Sequence, residues 1–155
     1  MNRDASAVWL RSACMACALV LGALFAGTAA GADHTSDTLA EVRERLDGEE
    51  AVLVDVREQS EWDKGHLAGA VLLPLSELSR WKKQGSKPQA AARLRERLPE
   101  DRETIIYCHC ASGVRVLPAC EILREWGYDV RPLKAGFADL AKAGFRVAPP
   151  DEADK

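Results

Sequence analysis

Continuous apolar runs alternate along the chain with stretches in which apolar residues recur every three or four positions. Ala51–Val56 and Thr104–Tyr107 are runs of strand length, and the second, β-branched and aromatic with no turn residue inside it, reads as a buried strand of a parallel sheet. Gly69–Pro74 and Asp129–Leu133 read as shorter strands. Leu39, Val42 and Leu46 share a helical face that opens on the capping-box pair Thr38 and Glu41 and closes at Asp47-Gly48. Gln59–Lys64 predicts a short helix. Leu75–Gln84 and Gln89–Leu98 predict two more, separated by the breaker Gly85-Ser-Lys-Pro88. Val116–Trp126 is helical with Gly127 as its stop, and Pro118 fits only if it lies in the first turn. Ala138–Ala143 predicts a last short helix before Phe145–Val147. Strands alternating with helices predict an α/β fold: a mostly parallel central sheet with helices on both faces. In such sheets a site lies beyond the carboxyl ends of the strands, where Asp55 and Cys110 both fall.

Ahead of this pattern stands a different one. Ser12–Thr28 carries no charge and is dominated by Ala, Leu, Val and Cys, after Arg3 and Arg11. Small residues close it at Ala30-Gly-Ala32, with Thr28-Ala-Ala30 as an alternative, the layout of a cleaved secretory signal peptide over residues 1–32. The run is short for a membrane span, so no membrane association is expected after cleavage, and a periplasmic or secreted location is. Cleavage would take Arg3, Arg11 and Asp4 and leave 19 basic against 23 acidic residues. A mature charge near −4 leaves no basic footprint for nucleic acid. Cys108, Cys110 and Cys120 remain, an odd number that argues for a working thiol over a disulfide framework.

The candidate chemistry sits where the strand ending at Tyr107 meets the helix from Val116. The loop Cys110-Ala-Ser-Gly-Val-Arg115 has turn chemistry at Ser112-Gly113. Successive N–H groups of Ala111, Ser112, Gly113 and Val114 can cradle an anion, and the helix N-terminus and Arg115 add positive charge. A thiol held there ionises more readily, and the thiolate is the nucleophilic form. The competing reading of Cys110 is a buried structural cysteine beside an ordinary turn.

Leu53-Val-Asp-Val-Arg57, Glu61-Trp-Asp-Lys-Gly-His-Leu-Ala-Gly-Ala70 and Cys110-Ala-Ser-Gly-Val-Arg115, in that order, resemble the rhodanese homology domain. The likeness extends to Leu133-Lys-Ala-Gly136 and Gly144–Val147, so the domain is placed at residues 33–148, with 149–155 a loose acidic tail. The resemblance implies sulfurtransferase chemistry. Cys110 would take the outer sulfur of a small anionic donor such as thiosulfate as a persulfide and pass it to cyanide or a thiol. No cofactor or metal is expected. Arg115 matches the family's loop-closing position and is assigned anion binding, a structural ion pair being its lesser alternative.

Asp55 and Arg57 either sit at the mouth of the site, with Arg57 guiding anions, or form with Glu61 a structural network at the strand end; the second weighs more. His66 reads as a packed, hydrogen-bonded histidine. Cys108 is either the last inward residue of the strand or a second thiol that resolves the persulfide. Two positions depart from the family: the block Leu133-Lys134-Ala135-Gly136, where a pair of glycines is more typical, and Leu140, where an aromatic is common. Three other functions compete with this reading: a Cys-dependent phosphatase or arsenate reductase, whose loop has one more residue; a thiol–disulfide or soft-metal module on Cys108 and Cys110; and a non-catalytic binding module.

Overall fold

The computed structural model describes residues 33–85 and 92–148. The leader over 1–32, the tail over 149–155 and the start of the helix expected over 89–98 lie outside the described residues. Four parallel strands form the central sheet in the order β3-β1-β4-β5: β1 (Ala51–Asp55), β3 (Val71–Leu72), β4 (Ile105–His109) and β5 (Val130–Pro132). β2 (His66–Leu67) pairs antiparallel with β6 (Val147–Ala148) as a separate ribbon. The helices are α1 (Leu39–Asp47), α2 (Gln59–Trp62), α3 (Leu75–Lys83), α4 (Val116–Glu125) and α5 (Phe137–Lys142), with a helical turn at 92–95.

The period of two along β4 divides the core. Ile106, Cys108 and Cys110 face one cluster, with Leu78 and Trp81 of α3 and Val116, Ala119, Cys120 and Leu123 of α4. Tyr107 faces the other, with Val42 of α1 and Leu140 of α5. Each element carries one apolar face, and the sheet separates the two layers they build. Leu140 is fully buried in the second cluster, so an aliphatic side chain fills the position where an aromatic is usual.

Two elements differ from expectation. The strand expected over 69–74 contracts to Val71–Leu72: Gly69 turns at φ +78°, and Pro74 already caps α3. The β2–β6 ribbon was not foreseen in β2, because a two-residue ladder shows no periodicity in sequence.

The polar lead-in before α1 is fastened to the sheet. Thr35 N–H donates to Pro132 O at 2.8 Å. One oxygen of Asp37, Oδ2, accepts from the Tyr107 phenol at 2.5 Å and from Arg45 and Arg131 at 2.8 Å each. One carboxylate therefore joins α1, β4 and β5. The Tyr107 hydrogen bond, reinforced by the two arginines, lowers its pKa from 3.8 to about 2.

At the carboxyl edge of the sheet the segment after β5 locks against the loop after β4. Leu133 N–H donates to Cys108 O and Phe137 N–H to Cys110 O, both at 2.8 Å. Gly113, at φ +78°, lies so close that a Cβ would stand 2.4 Å from Lys134 O. At Gly136 a Cβ would stand 1.9 Å from Ala111 O. Gly136 is thus the one glycine this segment requires, while Ala135 packs on the second core, so the missing second glycine in the 133–136 block costs the interlock nothing.

Asp37 has its folded-state pKa depressed, so the stability it contributes is complete above the unfolded value near 4 and is lost as pH falls from there to about 2. Urea unfolding followed by tryptophan fluorescence should show a shallower pH dependence across that window for Asp37→Asn than for wild type, with lower stability at pH 7. Equal slopes would refute the assignment. A second pair of variants separates steric from backbone cost. Gly136→Ala, at an ordinary φ, should lose about 3 kcal/mol through its backbone clash. Gly69→Ala, at positive φ with open space around it, should lose only about 1 kcal/mol. Thermal melts of the two would be reversed in order if the interlock were dispensable.

Candidate active site

Parallel pairing of β1 with β4 in the register Asp55↔His109 brings both strand ends to one edge. Beyond that edge the chain passes through Cys110 into the loop and then into α4, whose first turn contains Pro118. Leu117 N–H donates to Val114 O, and α4 ends with Gly127 at φ +87°. The loop is thus pinned between a buried strand and a helix start.

Among the described residues, no protein acceptor takes the N–H groups of Ala111, Ser112, Gly113, Val114 or Arg115. Ala111, Ser112 and Val114 are exposed, Val114 at 68%, whereas Cys110 has no exposed surface. Donors without partners at a helix start suit an anion. Arg115 makes a two-pronged ion pair with Glu61: Nη1 to Oε2 at 2.5 Å and Nη2 to Oε1 at 2.7 Å. That pair lowers the Glu61 pKa to about 2 and raises that of Arg115. Arg115 also lies close enough to Cys110 for the two to interact. The guanidinium fork expected to face an oxyanion faces Glu61.

Asp55 and Arg57 form a buried pair. Arg57 Nε donates to both oxygens of Asp55 at 3.0 and 2.8 Å, its Nη2 donates to Gly65 O at 3.0 Å, and its guanidinium lies 4.3 Å from the Phe137 ring centre. Arg57 is therefore spent on structure and not open to an incoming anion. Of the two arrangements expected for Arg57, it takes the structural one, because a buried arginine must satisfy its donors locally. Glu61, grouped with this pair from the sequence, belongs to Arg115. His66 is buried and stacks on Trp62, with ring centres 3.7 Å apart and planes 5° from parallel.

Cys108 lies in the core. Contact with the Cys120 thiol, then burial, holds its pKa well above the ordinary cysteine value, which makes it a poor nucleophile at neutral pH. All three described cysteines are free thiols. Among the described residues no group of three or more His, Cys, Asp or Glu side chains is placed to hold a metal ion.

Two histidines escaped the sequence reading as site residues. His109 is wholly buried on the face opposite Cys110 and, within the described structure, neither ring nitrogen has a hydrogen-bond partner. Its Nε2 stands 3.6 Å from Asp55 Oδ2, but burial lowers its pKa, so the ring is neutral and Asp55 is balanced by Arg57. The Cys110 backbone is near enough to influence the ring without hydrogen-bond geometry. His34, in the lead-in, donates from Nε2 to Gly113 O at 2.8 Å. No local pattern announces a contact across 79 residues.

Comparison with known proteins agrees with this geometry. The Rhodanese-like domain family matches residues 38–143. An HTH-type transcriptional regulator of Mycobacterium tuberculosis is 34% identical over 125 residues, covering 81% of this chain but 50% of the regulator, so the chain spans about half of that relative. A sulfurtransferase of Allochromatium vinosum is 31% identical over 106 residues, covering 68% of this chain and 85% of that one. The human single-domain sulfurtransferase is a structural neighbour with a TM-score of 0.54 and 28% identity, over 67% of this chain and 92% of that one. The mostly parallel sheet, the Cys110 loop and these relatives together place the chain in the rhodanese-like family, whose related members include sulfurtransferases.

Proposed function

We propose that this protein is an exported sulfurtransferase that moves a sulfane sulfur from thiosulfate, or a similar small anion, to cyanide or a thiol through a Cys110 persulfide. The observation that carries the reading is a thiol followed directly by five backbone amides that, among the described residues, have no protein acceptor, at a helix start and beside an arginine held by Glu61. The Cys110 thiolate attacks the outer sulfur of thiosulfate. A new S–S bond forms, the donor's own S–S bond breaks, and sulfite leaves with that electron pair. Cyanide then attacks the outer sulfur of the persulfide, thiocyanate departs, and the thiolate is restored.

Burial of Cys110 shapes both halves. A small donor suits a buried thiol better than a bulky one. The persulfide's outer sulfur then lies about 2 Å farther along than the thiol sulfur, extending the reactive atom toward the acceptor. The free amides and Arg115 stabilise negative charge on thiolate and persulfide alike. Export rests on the layout of residues 1–32 alone.

Intact mass before and after thiosulfate tests the reaction. Wild type should gain one sulfur that cyanide discharges. Cys110→Ser should gain none, and Cys108→Ser should behave as wild type. No gain in wild type rejects thiosulfate as donor, and a mass two hydrogens short, lost with either variant, would point to a Cys108–Cys110 redox pair.

A further inference from the structure

Glycine at 113 solves one problem for the loop and creates another. Without a Cβ it fits under Lys134 O at positive φ, but the same freedom leaves its flanking peptide planes easy to rotate. The plane between Gly113 and Val114 matters most, since Val114 N–H is among the amides with no protein acceptor. In a planar trans peptide the C=O and N–H point in opposite directions. Whatever fixes the Gly113 carbonyl therefore fixes the direction of the Val114 amide.

That carbonyl is fixed from outside the loop. His34 Nε2 lies 2.8 Å from Gly113 O, and because the partner is a carbonyl, Nε2 must carry the hydrogen. His34 is itself immobilised by the anchors that follow it, Thr35 on Pro132 O and Asp37 on Tyr107, Arg45 and Arg131. Nothing else in the described structure donates to Gly113 O. We infer that His34 is a positioning residue for sulfur transfer: through the Gly113 carbonyl it sets the Val114 amide that receives charge from the Cys110 thiolate and persulfide. This rests on the sulfurtransferase reading above.

The test is single-turnover persulfide formation, with excess thiosulfate and rapid-quench intact mass, on wild type, His34→Ala and His34→Gln. Thermal melts show that each variant is folded. Losing one neutral hydrogen bond should slow His34→Ala about fivefold to tenfold. Gln, whose terminal amide can donate to the same carbonyl, should recover most of that rate, which a role in mere strap packing would not require. A folded His34→Ala that reacts as fast as wild type overturns the inference, as does a His34→Gln no faster than His34→Ala. A wild type that takes up no sulfur rejects thiosulfate as the donor, and overturns the inference for that reaction with it.

Discussion

Five consecutive residue pairs between β1 and β4, from Ala51↔Ile105 to Asp55↔His109, are the constraint from which the rest of the structure follows. Slipping that register by one residue would exchange the two faces of β4, sending Cys108 and Cys110 toward α1 and α5 and Tyr107 toward α4. In the register observed, Tyr107 reaches Asp37 and ties the lead-in to the sheet, while Cys110 emerges on the α4 side with its loop already turned toward a helix start. The sheet thus decides the environment of the thiol before any residue of the loop acts.

A division of electrostatic labour accompanies this geometry. Asp55 and Arg57 neutralise each other inside the protein, and Arg57 also donates to Gly65 O and lies over the Phe137 ring. Glu61 and Arg115 pair nearer the surface, both partly exposed, with Arg115 close to Cys110. Two similar-looking acid–arginine pairs therefore occupy different places: one holds the strand end, and the other anchors the arginine that closes the Cys110 loop.

Much of this was legible in the sequence. Long apolar runs, the capping box at Thr38 and the glycine stop at 127 act over a few residues, and each marked its element. The loop was legible for the same reason, since a strand, a turn glycine, an arginine and a helix start adjoin there. Contacts between distant segments were not. Glu61 was placed with the wrong arginine, because its true partner lies 54 residues away. Arg57 could be read two ways from the sequence because its burial depends on Phe137 and Gly65, which no local pattern connects to it. His34 and the close approach of Gly136 to Ala111 likewise exist only once the chain has folded.

Those distant contacts bear on protein engineering. The loop from Cys110 to Arg115 is held by the lead-in at Gly113, by α2 at Arg115 and by the segment after β5 at Ala111 and Gly113. Six residues transplanted to another strand–helix junction would carry the thiol and leave every clamp behind. The smallest transferable unit of this chemistry is nearly the whole domain.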